Sequence, residues 1–290
     1  MSVARILVIA GSDSGGGAGI QADIRTITML GGHAMTAITA ITAQNTLGVQ
    51  GMHAVPTGMV LAQMASVVSD IGVDAVKIGM IGSAETAERV ADFLASSFPR
   101  RRESISRRLI QLGGQEMDPR LRGEDEEGEW EEGGKTVPVV FDPVMVATSG
   151  SALADDATIA AFTRLMRIAT LVTPNIPELE ALGGDASVAA HGCAVLAKGG
   201  HGEGDVLTDR LFDAGGEIAT WSGDRIDTSS THGTGCTLAS AIATGLGQGM
   251  RLTDAVARAR LYVRASLACA PGLGGGHGPM GVPLDFDRNA

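Results

Sequence analysis

Short apolar runs alternate along this chain with longer segments of helical period, and that alternation constrains the fold more than any other feature. ILVIA, AITAIT, AVKIG, PVVFD, TLVTP and AVLAKGG are continuous runs of strand length. Segments of helical period lie between them at 18–30, 57–71, 83–96, 155–168 and 176–182. A strand, a helix and a second strand make a βαβ unit, which sets the strands parallel and covers the sheet with helices. The chain is therefore expected to form an α/β fold with a central, mostly parallel sheet flanked by helices. DVLTD, LFDAGG and EIATW read instead as hairpin strands around a Gly-Gly turn. Two further helices, 235–247 and 252–268, show apolar residues at spacings of three and four and close the chain. With 290 residues and 44% hydrophobic content, a single domain over 1–290 is expected.

The segment at about 100–135, RRRESISRRLIQLGGQEMDPRLRGEDEEGEWEEGGK, breaks the pattern with a basic block followed by an acidic one. Such a composition buries too little apolar surface to offset its ordering entropy, so a disordered surface insertion is expected there. Closure entropy grows only logarithmically with length, so an excursion of this size is tolerable where its ends lie close together.

Charge and cysteine content exclude several functions. A formal net charge of −11 argues against a nucleic-acid partner, which needs a basic face to displace counterions. Three scattered cysteines, Cys193, Cys236 and Cys269, suggest neither a disulfide framework nor a zinc site, and a reducing cytosol suits them. The run Ile6 to Ala10 breaks into GSDSGGGAG, too short for a signal segment or a membrane span, and no other stretch is long enough to cross a bilayer.

Three constellations carry chemistry. Gly11-Ser12-Asp13-Ser14-Gly15-Gly16-Gly17-Ala18-Gly19 lies between a strand and a helix but matches neither GxGxxG nor the Walker A pattern. It reads as a substrate-contacting turn or as a structural glycine turn. Thr231-His232-Gly233-Thr234-Gly235-Cys236-Thr237 runs into the apolar helix LASAIATGL. Its glycines can turn amides inward at a helix N-terminus, which makes an anion hole for a phosphoryl group. Cys236 would there be either a buried small hydrophobe or, favoured by the helix dipole, a thiolate able to take or hold a proton. Asp142 in VVFDPVM and Glu178 in TPNIPELE each follow an expected strand, where the ligand crevice of an open α/β sheet lies. Both could hold Mg²⁺ through water, although Glu178 also suits a first-turn helix acid. His232, in the glycine motif, is expected to help shape the site, whereas the other histidines, His277 among them, show no metal-ligand spacing and read mostly as ordinary surface or turn residues.

These segments together resemble a known family. GSDSGGGAGIQAD, TAITAQNTLGV, VKIGM, FDPVMVATSG, LVTPNIPELEAL, AKGGH, DTSSTHGTGC and LGGGHGP stand in the order and spacing of bacterial hydroxymethylpyrimidine/phosphomethylpyrimidine kinases. The resemblance implies a ribokinase-like three-layer fold, ATP with Mg²⁺ and a possible homodimer. It also implies two successive phosphorylations in thiamine biosynthesis: of 4-amino-5-hydroxymethyl-2-methylpyrimidine, then of its monophosphate. By the same resemblance Gln44 hydrogen-bonds the pyrimidine, Asp23 and Met80 line its pocket, and Gly11 closes against it. Asn175 and Glu178 match an NxxE magnesium motif, Asp142 the acid of DPVM, and Lys198 a lysine near the nucleotide. Gly233, Thr234, Gly235 and Cys236 match the anion hole and its terminal residue. The chain departs from the family pattern at Thr148, where lysine is common, and in the charged segment. A pyridoxal-type vitamin kinase on the same scaffold, or a pyrimidine-binding sensor without turnover, are the competing expectations.

Overall fold

The computed structural model describes residues 3–98, 136–146, 150, 153–199 and 204–287, so the charged segment at 100–135 and Thr148 lie outside the described residues. The apolar run after Arg5 forms strand β1 (Arg5–Asp13), which leads into helix α1 (Gly19–Met29). Strand β2 (His33–Asn45) turns into β3 (Gly48–Ala54), and helix α2 (Thr57–Asp70) follows. Strand β4 (Ala75–Ile78), helix α3 (Ala84–Ser97), strand β5 (Val139–Phe141) and helix α4 (Asp156–Ile168) continue the alternation. Then come strand β6 (Leu171–Val172), the short helices α5 (Ile176–Ala181) and α6 (Gly184–Ala189), and strand β7 (Ala194–Ala197). The hairpin β8 (Val206–Asp213) and β9 (Gly216–Asp224) precedes the closing helices α7 (Thr234–Gly247) and α8 (Leu252–Ala268).

All of these strands join one nine-stranded sheet in the order β3-β2-β1-β4-β5-β6-β7-β8-β9. Pairings from β2 through β7 are parallel, while β3, β8 and β9 pair antiparallel at the two margins. Side chains alternate across the sheet, so β1 serves two cores at once. Ile6, Val8 and Ala10 pack in one core with residues of α1, α7 and α8, including Ile27, Ile242 and Val256. Leu7 and Ile9 pack in the other with residues of α2, α3 and α4, including Met64, Leu94 and Leu165. The result is the expected three-layer arrangement, with α7 buried almost along its whole length against the sheet.

Local chemistry sets several boundaries. Ser83 and Asp155 cap α3 and α4 by accepting the amides of Thr86 and Thr158 at 3.2 and 2.8 Å. The hairpin turns at Ala214 and Gly215, and Gly216 takes a φ of +116°, in the region that favours glycine. The sequence does not announce β3 or α6. Residues 50–54 of β3 are exposed, so no apolar alternation marks the strand, and α6 is only 6 residues long. A register shift between Ala10 and Ser12 places Gly11 at an irregularity in β1, at the end that opens into the site.

Candidate active site

At the carboxyl ends of β1, β5, β6 and β7 the structure opens a cavity of about 950 Å³. It lies beside the point where the order reverses around β1, the expected crevice of such a sheet. The cavity is lined by Gly11, Gln44, Met80, Asp142, Asn175, Glu178, Lys198, Gly233, Thr234, Gly235 and Cys236. Of the residues expected at the site, only Asp23 lies apart from this lining.

One wall is made by the glycine turn after β1 docking on the loop before α7. Asp13 Oδ1 accepts the Gly15 amide at 2.8 Å, and Oδ2 accepts those of Gly17 and Ala18 at 2.9 and 2.8 Å. His232 Nε2 stands 2.9 Å from the same Oδ2. Burial alone would raise the Asp13 pKa, but His232 and the amides of Ala18 and Gly15 outweigh it and hold the carboxyl below its usual range. The two loops approach so closely that a Cβ on Gly233, whose φ is +86°, would fall on the Gly17 carbonyl oxygen. Gln44 Nε2 lies 3.1 Å from His232 Nε2, and Gln44 Oε1 3.2 Å from Thr42 Oγ1. One ring nitrogen cannot both donate to Asp13 and accept from Gln44. The charge-assisted bond to the carboxylate is the stronger, which leaves the Gln44 amide as the group a ligand can reorient.

Beneath the anion-hole loop lies a fully buried ion pair. Lys77 Nζ donates to Asp23 Oδ1 and Oδ2 at 2.9 and 3.0 Å, and both side chains have 0% exposure. Ser240, one turn beyond Cys236 on α7, donates to Asp23 Oδ1 at 2.7 Å. Burial disfavours the Lys77 ammonium, yet Asp23, Cys236 and Asp142 together outweigh it and raise its pKa. Asp23 therefore supports the floor of the site and does not line the pocket as expected. Lysine in the middle of the apolar run AVKIG was the sequence signal, because a buried ammonium needs a buried acid.

Cys236 lines the cavity at the first turn of α7. Burial pushes its thiol up to about 11; Lys77 and a bond from the Gly19 backbone lower it, while Asp23 and Asp142 raise it further. The helix dipole at the start of α7 does not overcome these effects, which favour the thiol over the thiolate.

On the opposite wall, Asp142 Oδ1 accepts from Lys198 Nζ at 2.8 Å and from Thr173 Oγ1 at 3.0 Å. A Cβ at Gly235 would stand 3.3 Å from both Asp142 Oδ2 and Lys198 Nζ, so glycine keeps that space open. Burial opposes the Lys198 ammonium, while Asp142 and Glu178 raise its pKa and prevail. Asn175 and Glu178 form a reciprocal capping box on α5: each side chain accepts the other's amide at 2.8 Å. The NxxE spacing thus has a helix-capping role. Burial and the nearby Asp142 charge raise the Glu178 pKa against the pull of Lys198 and the Asn175 and Met145 amides. That surplus negative potential suits a hard cation. Among the described residues no cluster of three His, Cys, Asp or Glu could hold a metal alone, so an ion here would draw ligands from water and phosphate as well.

The cavity continues toward α8, where Val263, Leu267, Ile226 and Leu207 offer an apolar lining. Arg260 Nε donates to Asp209 Oδ2 at 2.6 Å, and Asp209 Oδ1 accepts the Gly199 amide at 2.9 Å, which fixes the loop after Lys198. Sequence reasoning missed this pair and read His277 as a surface or turn residue, whereas Asp13, in the expected substrate-contacting turn, and His232, in the glycine motif, do line the cavity. No spacing marks Arg260 and Asp209. An acid followed by glycines was the available signal for Asp13.

The family model of phosphomethylpyrimidine kinase matches residues 13–101 and 129–281. The chain is 42% identical over 289 residues to the hydroxymethylpyrimidine/phosphomethylpyrimidine kinase of Streptomyces coelicolor, covering 95% of this chain and 93% of that protein. It is 43% identical over 289 residues to the thiamine biosynthesis bifunctional protein ThiED of Geobacter sulfurreducens, covering 95% of this chain but only 51% of that protein. Among solved structures, an ADP complex of Bacillus subtilis pyridoxal kinase gives a TM-score of 0.77 at 27% identity over 98% of both chains. The fold is ribokinase-like, and the chain belongs to the phosphomethylpyrimidine kinase family.

Proposed function

We infer that this chain is an ATP-dependent kinase acting on 4-amino-5-hydroxymethyl-2-methylpyrimidine and then on its monophosphate, which supplies the pyrimidine diphosphate for thiamine assembly. The observation that carries this reading is one cavity with a hydrogen-bonding amide at one end and an acid-lysine-acid cluster facing an anion hole at the other. Gln44 offers donor and acceptor to an aminopyrimidine edge, with Met80 and Gly11 against the ring. Amides at Gly233, Thr234 and Gly235, at the start of α7, would stabilise the phosphoryl group in flight. Lys198 would neutralise nucleotide phosphate charge. Asp142 and Glu178 would hold Mg²⁺ through water, and the ion would supply further charge neutralisation. Asn175 keeps Glu178 in place through the capping box.

Cys236, in the lining at the start of α7, would hold the proton of the hydroxymethyl oxygen. With its pKa near 11, only its minor thiolate fraction can act as base. Phosphoryl transfer has a loose transition state, so alcohol deprotonation is a modest part of the barrier. The second acceptor is a phosphate oxygen already ionised at neutral pH and needs no base.

The reading includes one domain carrying 100–135 as an insertion, since the family match passes over the residues between 101 and 129. A homodimer, implied by the family resemblance, belongs to it; Ile41 on β2 and Met52 on the edge strand β3 are exposed apolar residues. A cytoplasmic location belongs to it as well: Cys193, Cys236 and Cys269 are free thiols, and no described helix is long and apolar enough to cross a membrane.

The pyridoxal alternative draws on the similarity to the Bacillus subtilis enzyme. Kinetics with each substrate in turn separate the two. Higher kcat/KM for the hydroxymethylpyrimidine is expected; equal or higher kcat/KM for pyridoxal would reverse the assignment.

A further inference from the structure

The glycine-rich loop 272–279 ties the two sides of the cavity together. Toward the substrate side, the His277 amide donates to the Thr46 carbonyl oxygen at 3.0 Å and the Gly276 amide to Thr46 Oγ1 at 3.4 Å. Thr46 lies two residues beyond Gln44. A side chain at Gly276 would fall on the Thr46 carbonyl oxygen, so this contact requires glycine. Toward the phosphate side, the His232 amide donates to the Gly278 carbonyl oxygen and the Gly278 amide to that of Ser229, each at 3.1 Å. Between these anchors His277 lines the cavity and is exposed at its mouth.

The His277 ring has a defined orientation, because its Nδ1 lies 3.1 Å from Thr231 Oγ1. When that hydroxyl donates to Nδ1, the proton of a neutral imidazole resides on Nε2, which becomes a donor. Among the other charged donors of the cavity, Lys198 and Arg260 are paired with Asp142 and Asp209, while Arg225 and Arg264 donate to the backbone carbonyl oxygens of Gly204 and Asp224. His277 is held by a neutral hydroxyl instead.

The two acceptors proposed above differ by one phosphate. In the second reaction an oxygen of the acceptor phosphate forms a bond to the γ-phosphorus of ATP, and the bond to the ADP oxygen breaks with its electron pair leaving on ADP. The anion-hole amides face the transferring group, so the acceptor phosphate needs a donor of its own. We propose that His277, oriented by Thr231, donates a hydrogen bond to that acceptor phosphate and so sets specificity for the monophosphate in the second phosphorylation.

This inference rests on the functional reading above, and the test separates the two. Wild-type protein, His277→Ala and His277→Gln are each given the alcohol and the monophosphate separately, with saturating ATP and Mg²⁺. For His277→Ala the ratio of kcat/KM for monophosphate to that for alcohol should fall about tenfold, the worth of one hydrogen bond to a charged group, mainly through KM. His277→Gln keeps a donor and should recover part of the loss. An unchanged ratio, or equal losses on both substrates, overturns the proposal while leaving the kinase assignment intact. A wild-type protein that turns over neither substrate overturns the kinase assignment and the His277 role with it.

Discussion

Replacing Lys77 by methionine removes one charge from a pair that has no access to water. Methionine fills a similar volume, so the cavity contribution is small. The dominant effect is electrostatic: Asp23, at 0% exposure, retains among the described residues the Ser240 donor at 2.7 Å and loses contacts of 2.9 and 3.0 Å to the ammonium. Breaking a buried pair on one side costs about 3–5 kcal/mol. Protonating Asp23 limits the penalty, because neutralising an ordinary carboxyl near pH 7 costs about 4 kcal/mol. The expected loss is therefore about 3–4 kcal/mol in urea unfolding. Burial raises the folded-state pKa of the stranded Asp23, so stability is retained below the unfolded carboxyl value and lost as pH rises through the folded value. The gap to wild type should narrow at about pH 5 relative to pH 8. Lys77→Met combined with Asp23→Asn should recover more than half of the loss. A single-variant loss below about 1 kcal/mol, or no recovery in the double variant, would refute the reasoning.

Cys236→Ala should slow alcohol phosphorylation by about ten- to a thousandfold, at or below the usual worth of a general base, and slow the monophosphate step much less; single-turnover assays on each substrate check this. Gln44→Ala should raise the pyrimidine KM by an amount equivalent to about 1–3 kcal/mol, with ATP affinity little changed, as steady-state titration of each substrate would reveal. Deleting 100–135 and joining the flanks should leave a soluble kinase of similar kcat, and loss of soluble protein would show that the segment is structural.

Much of the fold is legible because strand and helix periods differ and each segment obeys one of them. The run ILVIA feeds both cores of the sheet, and LASAIATGL is apolar on every side because α7 is buried almost throughout. What escapes the sequence has physical reasons. Strand β3 is a solvated edge held by backbone hydrogen bonds, so its side chains carry little pattern. Asp23 stands in a family motif, but its contact with Lys77 spans 54 positions, and only the fold reveals that the pair sits under the pocket. Cys236 shows two opposed influences of unequal size: a helix start is visible in GTGC, whereas the burial and the carboxylates that prevail over it come from distant segments. The His232–Asp13 contact spans 219 positions, which is why a glycine turn and a glycine-rich helix start read as separate motifs.

The most direct test of the kinase assignment is the stoichiometry of a single pot. Purified protein, the hydroxymethylpyrimidine, excess ATP and Mg²⁺ are incubated to completion, ADP is quantified by a coupled assay, and the pyrimidine products are followed by mass spectrometry. The assignment predicts that the monophosphate rises and then falls as the diphosphate accumulates, with two ADP released per pyrimidine consumed. Binding of the pyrimidine without ADP release, or arrest at the monophosphate with one ADP released, would contradict it.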